Sequence, residues 1–215
     1  MPFKYPFIVF EGIEASGKST QIQLLAEHLQ KTDNDFILIR EPGGTDIGER
    51  IRAILKDTSY LNKMTPETEL LLMNAARAQL IREIISPALE QGKIVICDRY
   101  YYSSLAYQGY GRGIYISSLE QIINYSIGNL QPDIVFFMDI PLKISRQRII
   151  KRNQQLQSKG IQVRDRFEEA DMDFHQKVYS GYKTIFAQED SRFKIINATE
   201  KTEVIAQNIW NILNG

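Results

Sequence analysis

Apolar residues gather in five short runs, at 7–10, 36–39, 94–97, 134–138 and, less purely because of Lys194, 193–196. None alternates strictly with polar residues, which predicts strands covered on both faces. Between the runs the pattern turns helical at 19–29, from 65 to about 90, from 117 to about 127, and from near Thr202 onward. Thr65 suits an N-cap, with Pro66 at the first helical position and Glu67 in the first turn. Pro87 is expected to end or kink that helix, and Gly92 to close the connection to the next strand. In the last helix Val204, Ile205, Ile209, Ile212 and Leu213 keep helical spacing, with Trp210 beside the stripe as a packing residue. Strands alternating with helices predict an α/β fold, a five-stranded parallel sheet flanked by helices. Residues 151–166 are polar, basic and weakly periodic, and read as an exposed mobile segment.

Composition narrows the class. The 215 residues suit a single domain stable without disulfides or a structural metal. The 26 basic side chains balance 26 acidic ones, so no overall attraction to nucleic acid or a membrane surface is expected. No segment approaches the roughly 20 apolar residues of a membrane span. Met1-Pro2-Phe3-Lys4-Tyr5-Pro6 has no signal-peptide character, and the single cysteine, Cys97, reads as a small buried hydrophobe, so a reducing, cytoplasmic setting is expected. His28 and His175 lack partners at metal-ligand spacing and read as helix-surface residues.

The strongest chemical signal is Gly12-Ile13-Glu14-Ala15-Ser16-Gly17-Lys18-Ser19, a G-x-x-x-x-G-K-[ST] pattern between a strand and a helix. Glycines there let backbone N–H groups surround phosphate oxygens, and the helix N-terminus adds partial positive charge. Lys18 is expected at the β- and γ-phosphates and Ser19 at Mg²⁺. With Thr20, these residues form the expected ATP-binding set. The loop alone does not choose among kinase, GTPase and motor. A GTPase would carry Asn-Lys-x-Asp late in the chain, and Asn197-Ala198-Thr199-Glu200 is not that element.

Three more segments follow strands: Arg40-Glu41-Pro42-Gly43-Gly44-Thr45, Asp98-Arg99-Tyr100, and Ser103-Ser104-Leu105-Ala106-Tyr107-Gln108-Gly109. In doubly wound sheets ligands bind at the carboxyl ends of strands, so these should converge on the phosphate loop. With Phe10-Glu11-Gly12 they make the chain resemble the thymidylate kinases, from the first strand to beyond Arg166. The resemblance implies a P-loop nucleoside monophosphate kinase fold with a lid at about 148–166. It also implies transfer of the ATP γ-phosphate to dTMP, giving dTDP for dTTP synthesis, with Mg²⁺, and a homodimer.

Carried onto this chain, the resemblance implies that Glu41 and Pro42 shape the acceptor pocket and that Arg52 and Arg99 hold the dTMP phosphate, where a planar guanidinium grips oxygens in pairs. It implies that Gln108 meets the N3 edge of thymine, with Arg77 toward O4 and Ser104 nearby, and that Tyr107 underlies the deoxyribose. On charge pattern alone the competing reading of Arg52 is a solvated helix residue, and of Arg77 a snorkelling cation on an apolar helix. Met73, four residues before Arg77, stands where relatives commonly carry a phenylalanine that stacks on thymine.

For the transfer itself, Asp98 and Glu14 are the expected acids near the metal or phosphates. The loop has no arginine at its variable positions, so the catalytic cation is expected from the lid, where Arg148, Lys151, Arg152, Lys159, Arg164 and Arg166 lie. Arg152 and Arg166 match best, with Arg148 or Arg164 as alternatives. A kinase for another acceptor and a nucleotide-sensing module without turnover are the competing readings.

Overall fold

The computed structural model describes residues 4–160 and 165–215. Among these, β1 (Phe7–Glu11), β2 (Phe36–Arg40), β3 (Ile94–Asp98), β4 (Ile134–Asp139) and β5 (Phe193–Asn197) form one parallel sheet in the order β2-β3-β1-β4-β5. Central β1 sets Val9 against Cys97 on one side and Val135 on the other. All five expected strands are present. Coverage on both faces holds only for the middle three, since Leu38 on β2 and Ile195 on β5 are 43% and 57% exposed. Those strands lie at the sheet edges, where the helical layers stop short.

Helices α1 (Lys18–Lys31) and α9 (Thr202–Asn214) pack together, and the ring of Trp210 lies 3.6 Å from that of His28. The tryptophan therefore packs on α1, and His28 is part of that contact rather than a plain surface residue. α2 (Asp46–Lys56) is capped by the Thr45 hydroxyl, which accepts from the Gly48 amide at 2.9 Å. α3 (Pro66–Leu80) begins at the expected Thr65 cap. It does not stop before Pro87: a π-helical turn at Ile81–Ile85 leads into α4 (Ser86–Glu90). Proline has no N–H to return to the preceding turn, and the wider turn accommodates that loss.

After β3 come α5 (Tyr101–Ser104), a π-helical segment at Leu105–Gly111 and α6 (Ile116–Ile127). α7 (Leu142–Gln157) and α8 (Met172–Phe186) complete the helices described. The segment expected to be mobile is thus helical as far as Gln157, while Arg164 lies outside the described residues. α8 lies close on the π-helical segment, where a Cβ at Gly181 would stand 2.6 Å from that of Tyr110. Beneath it, the Phe186 ring stacks on Phe137 of β4 at 4.6 Å. No helix among the described residues is long and apolar enough to cross a membrane.

Candidate active site

Because the sheet is parallel, the carboxyl ends of its strands share one edge, and Glu11, Arg40, Asp98 and Asp139 end four of them there. The chain leaves β1 through Gly12, whose φ of 142° only glycine adopts easily and where a Cβ would stand 2.8 Å from the Met138 carbonyl oxygen. The following loop delivers Lys18 to the start of α1, where its ammonium donates to the carbonyl oxygens of Gly12 and Ile13, both at 3.1 Å. Burial, with Arg99 adding to it, pushes Lys18 down to about 8 against the pull of Asp98, Glu14 and Glu11. The Ser19 hydroxyl donates to Asp98 Oδ2 at 3.0 Å, and Asp98 Oδ1 is buried without a partner.

Arg99 sits in the left-handed region at φ 75°, its amide donating to the Phe10 carbonyl at 2.9 Å. This turn sends the guanidinium back over the loop, where it donates to Glu14 at 2.8 Å, the Tyr182 hydroxyl at 3.0 Å and the Ser103 hydroxyl at 3.2 Å. The Tyr107 hydroxyl also donates to Glu14. Burial works to raise the Glu14 carboxyl, but Arg99, Lys18 and Tyr107 outweigh it and hold the group down at about 2. Glu14, expected near the metal, therefore has Arg99 and Tyr107 as partners rather than the Ser19–Asp98 pair. Behind Arg99, fully buried Glu11 accepts from the amides of Tyr100 and Ser103 at 2.8 and 3.1 Å, and from the hydroxyls of Ser103 and Tyr182, both at 2.8 Å.

A cavity of about 250 Å³ opens from this cluster. Glu41, Pro42, Arg52, Met73, Arg77, Asp98, Arg99, Ser104, Tyr107, Gln108 and Arg152 line it together with Lys18 and Ser19, so the structure brings the separate sequence segments to one cavity. Arg77 is buried, not snorkelling: it pairs with Glu41 at 2.8 Å and donates to Asn74 at 2.9 Å and Ser104 at 3.0 Å. Burial pushes the Glu41 carboxyl up to about 7 against the pull of Arg77. Arg52 is half-buried rather than solvated and donates to the Pro42 carbonyl at 2.8 Å.

The two lid arginines part company. Arg152 lines the cavity and grips both carboxylate oxygens of Glu168 at 2.7 Å. Arg166 lines neither this cavity nor the phosphate loop's other side, is 2% exposed, and sets its guanidinium on Glu69 at 2.7 Å and the Leu55 carbonyl at 2.8 Å. Expected at the transferring phosphate, Arg166 is held in this structure by the buried Glu69 carboxylate. Arg148 donates to the carbonyls of Ala15 and Ala198, at 3.3 and 3.0 Å.

Glu11 and Ser103, which lie within the motifs but carry no expected role, and Phe167, Glu168 and Tyr182, which lie outside them, also belong to this constellation. For Glu11 a signal existed, a carboxylate ending an apolar strand. Phe167, an apolar residue closing a polar stretch, faces Tyr107 edge-on at 5.9 Å. Tyr182 carried no signal, since its partners lie 79 to 171 residues away.

A second cavity, of about 520 Å³, lies on the other side of the loop against Gly17, Arg148, Ala198 and Thr202. Ala15, Lys18, Ser19 and Arg152 line both cavities. A phosphate loop whose lysine and serine stand between two cavities, on a sheet of this order, defines a nucleotide phosphotransferase of the P-loop class. A family model described as thymidylate kinase matches residues 10–209. Thymidylate kinases of Roseiflexus castenholzii and Desulfovibrio desulfuricans are 42% and 41% identical, over 96% and 92% of this chain and 92% and 89% of theirs. The crystal structure of thymidylate kinase from Ehrlichia chaffeensis superposes with a TM-score of 0.75 at 32% identity, covering 96% of this chain and 97% of that one. The chain belongs to the thymidylate kinase family, ATP-dependent nucleoside monophosphate kinases.

Proposed function

We propose that the protein transfers the γ-phosphate of ATP to dTMP, giving dTDP, with dTMP in the cavity of Met73 and Gln108 and ATP in the one beyond the loop. The observation that carries this reading is that Lys18, Ser19 and Arg152 line both cavities, which suits an in-line exchange between two bound nucleotides. Lys18 and the loop amides hold the donor phosphates, and Thr20, next to Ser19 on α1, belongs to the same set. Arg99 and Arg52 hold the acceptor phosphate, which takes the place of Glu14 on the Arg99 guanidinium. Gln108 meets the thymine N3 edge, Arg77 and Ser104 lie toward O4, Met73 packs on the ring, and Tyr107 underlies the sugar.

Asp98, with one buried carboxylate oxygen unpartnered beside the Ser19 hydroxyl, offers the hard oxygen donors that fit Mg²⁺. Bound there, the ion supplies positive charge to the phosphate oxygens. Glu14 lies close enough to Lys18 to lower its own carboxyl, and adds an acidic group to the same side of the loop. Arg152, released from Glu168, closes on the transferring phosphate and helps exclude water, while Arg166 fixes the base of the lid. The lid spans about 148–166 of a single domain. The enzyme works as a cytoplasmic homodimer with no membrane or polymeric nucleic acid partner.

The test is coupled ADP release with ATP and Mg²⁺ over the monophosphates of thymidine, deoxyuridine, uridine, cytidine, guanosine and adenosine, plus free thymidine. Turnover centred on dTMP, with weaker dUMP, is expected. Comparable turnover on another acceptor would mean that Met73 marks a rebuilt pocket, and none on any acceptor would leave a nucleotide-sensing protein.

A further inference from the structure

We infer that Glu69 determines which base the acceptor pocket takes, by fixing the orientation of the Gln108 side-chain amide; this rests on the reading of Gln108 as the group that meets thymine N3. Glu69 is 1% exposed, on the first turn of α3. Its Oε1 accepts from Gln108 Nε2 at 2.7 Å and Arg112 Nε at 3.3 Å. Its Oε2 accepts from Arg112 Nη2 at 3.0 Å and Arg166 Nη1 at 2.7 Å. Each arginine is held in turn, Arg112 over the Phe174 ring at 4.1 Å and Arg166 by the Leu55 carbonyl.

A carboxylate gripped by two guanidiniums only accepts, so the amide group of Gln108 must turn its NH₂ toward Glu69. The amide direction, ambiguous for most glutamines, is here dictated by chemistry. Gln108 Oε1 is then the atom left to meet a ligand, and the pocket presents an acceptor. Thymine and uracil offer a donor at N3 and satisfy it. Cytosine offers an acceptor there, so two oxygen and nitrogen lone pairs would face each other in a buried site, a mismatch that a polar pocket rejects strongly. Glu69 touches no substrate; it is a positioning residue acting through Gln108. The same carboxylate holds Arg166, so the base-reading glutamine and the root of the lid share one anchor.

The experiment compares kcat/KM for dTMP and dCMP in the wild type, Glu69→Gln, Glu69→Asp and Arg112→Ala. A glutamine at 69 can donate as well as accept, which frees the Gln108 amide to turn, and the dTMP preference should fall at least about tenfold, with dCMP gaining. Should Glu69→Gln leave the two arginines too poorly compensated to fold, Glu69→Asp keeps the charge between them while withdrawing from Gln108, and the same loss is expected. Arg112→Ala leaves the Gln108 contact in place and should hold the preference within about twofold. General loosening would lower both rates without moving their ratio. A ratio unmoved in the folded Glu69 variant overturns the inference, as does an equal fall in Arg112→Ala. A wild type that does not favour dTMP would instead sink the acceptor assignment itself, and this inference with it.

Discussion

The Ser19 hydroxyl and the Asp98 carboxylate meet at 3.0 Å, tying the first turn of α1 to the end of β3. The pair joins the phosphate loop to the Asp98-Arg99-Tyr100 turn, leaving one carboxylate oxygen unshared. Asp98→Asn keeps the shape and removes the charge. It should lower kcat by about 10²–10³ while the fold persists, and Ser19→Ala should raise the Mg²⁺ concentration needed for half-maximal rate. Steady-state rates over a Mg²⁺ titration check both; wild-type Mg²⁺ dependence in either variant would speak against this site.

Glu14 contributes stability whose pH window can be stated. Its folded value near 2 lies below its ordinary 4.5, so the unfolded chain takes up the proton first as pH falls. The contribution is complete above about pH 4.5 and is lost as pH falls toward 2. Urea midpoints of wild type and Glu14→Gln should therefore converge across that interval. A gap that stays constant with pH would show that the Arg99 contact does not set the acid limb.

In the proposed transfer Arg152 supplies the mobile charge. Arg152→Ala should lower kcat by about 10³ or more with a much smaller change in the KM for dTMP, and a lysine should not restore it, because a point charge cannot reproduce the planar fork. Arg166→Ala should act differently, lowering the urea midpoint, since it strips a buried carboxylate of a partner. Equal kinetic effects at both positions would contradict this division.

Arg77 and Glu41 form a buried ion pair, side chains 2% and 4% exposed, whereas Arg40 and Glu49 form one in solvent at 48% and 44%. At pH 8, above the Glu41 value of about 7, Arg77→Ala should cost about 3–5 kcal/mol because it leaves a buried carboxylate uncompensated. Arg40→Ala should cost under about 1 kcal/mol. Equilibrium urea unfolding of both variants gives the comparison, and similar losses would mean that the Arg77 pair is not dry.

Strand positions were legible because each strand of the sheet is a short apolar run, broken only by Lys194 in β5, and the phosphate loop because its glycines are forced by backbone geometry. α7 left little trace: only Ser145 of it is buried, so no apolar stripe distinguishes it from a polar loop. α8 does carry a stripe, Phe174, Val178, Tyr182 and Ile185, which marks it as a helix in retrospect. The π-helical segment at Leu105–Gly111 has no such signature, because seven residues are too few for its wider turn to show as a change of period. Site residues with motif neighbours converged as expected. Arg166 did not, because the carboxylate that captures it, Glu69, lies 97 positions earlier in the chain.

Glu11 gathers its four donors from behind the Arg99 turn, out of reach of any ligand in the cavity, whereas Met73 stands on the cavity wall with no polar partner to satisfy. At position 73 the wall of the base cavity is thus mechanically separate from the Glu11–Arg99 frame. A lineage could exchange the side chain at 73, retuning its choice of nucleotide, without disturbing the frame that brings two phosphates together.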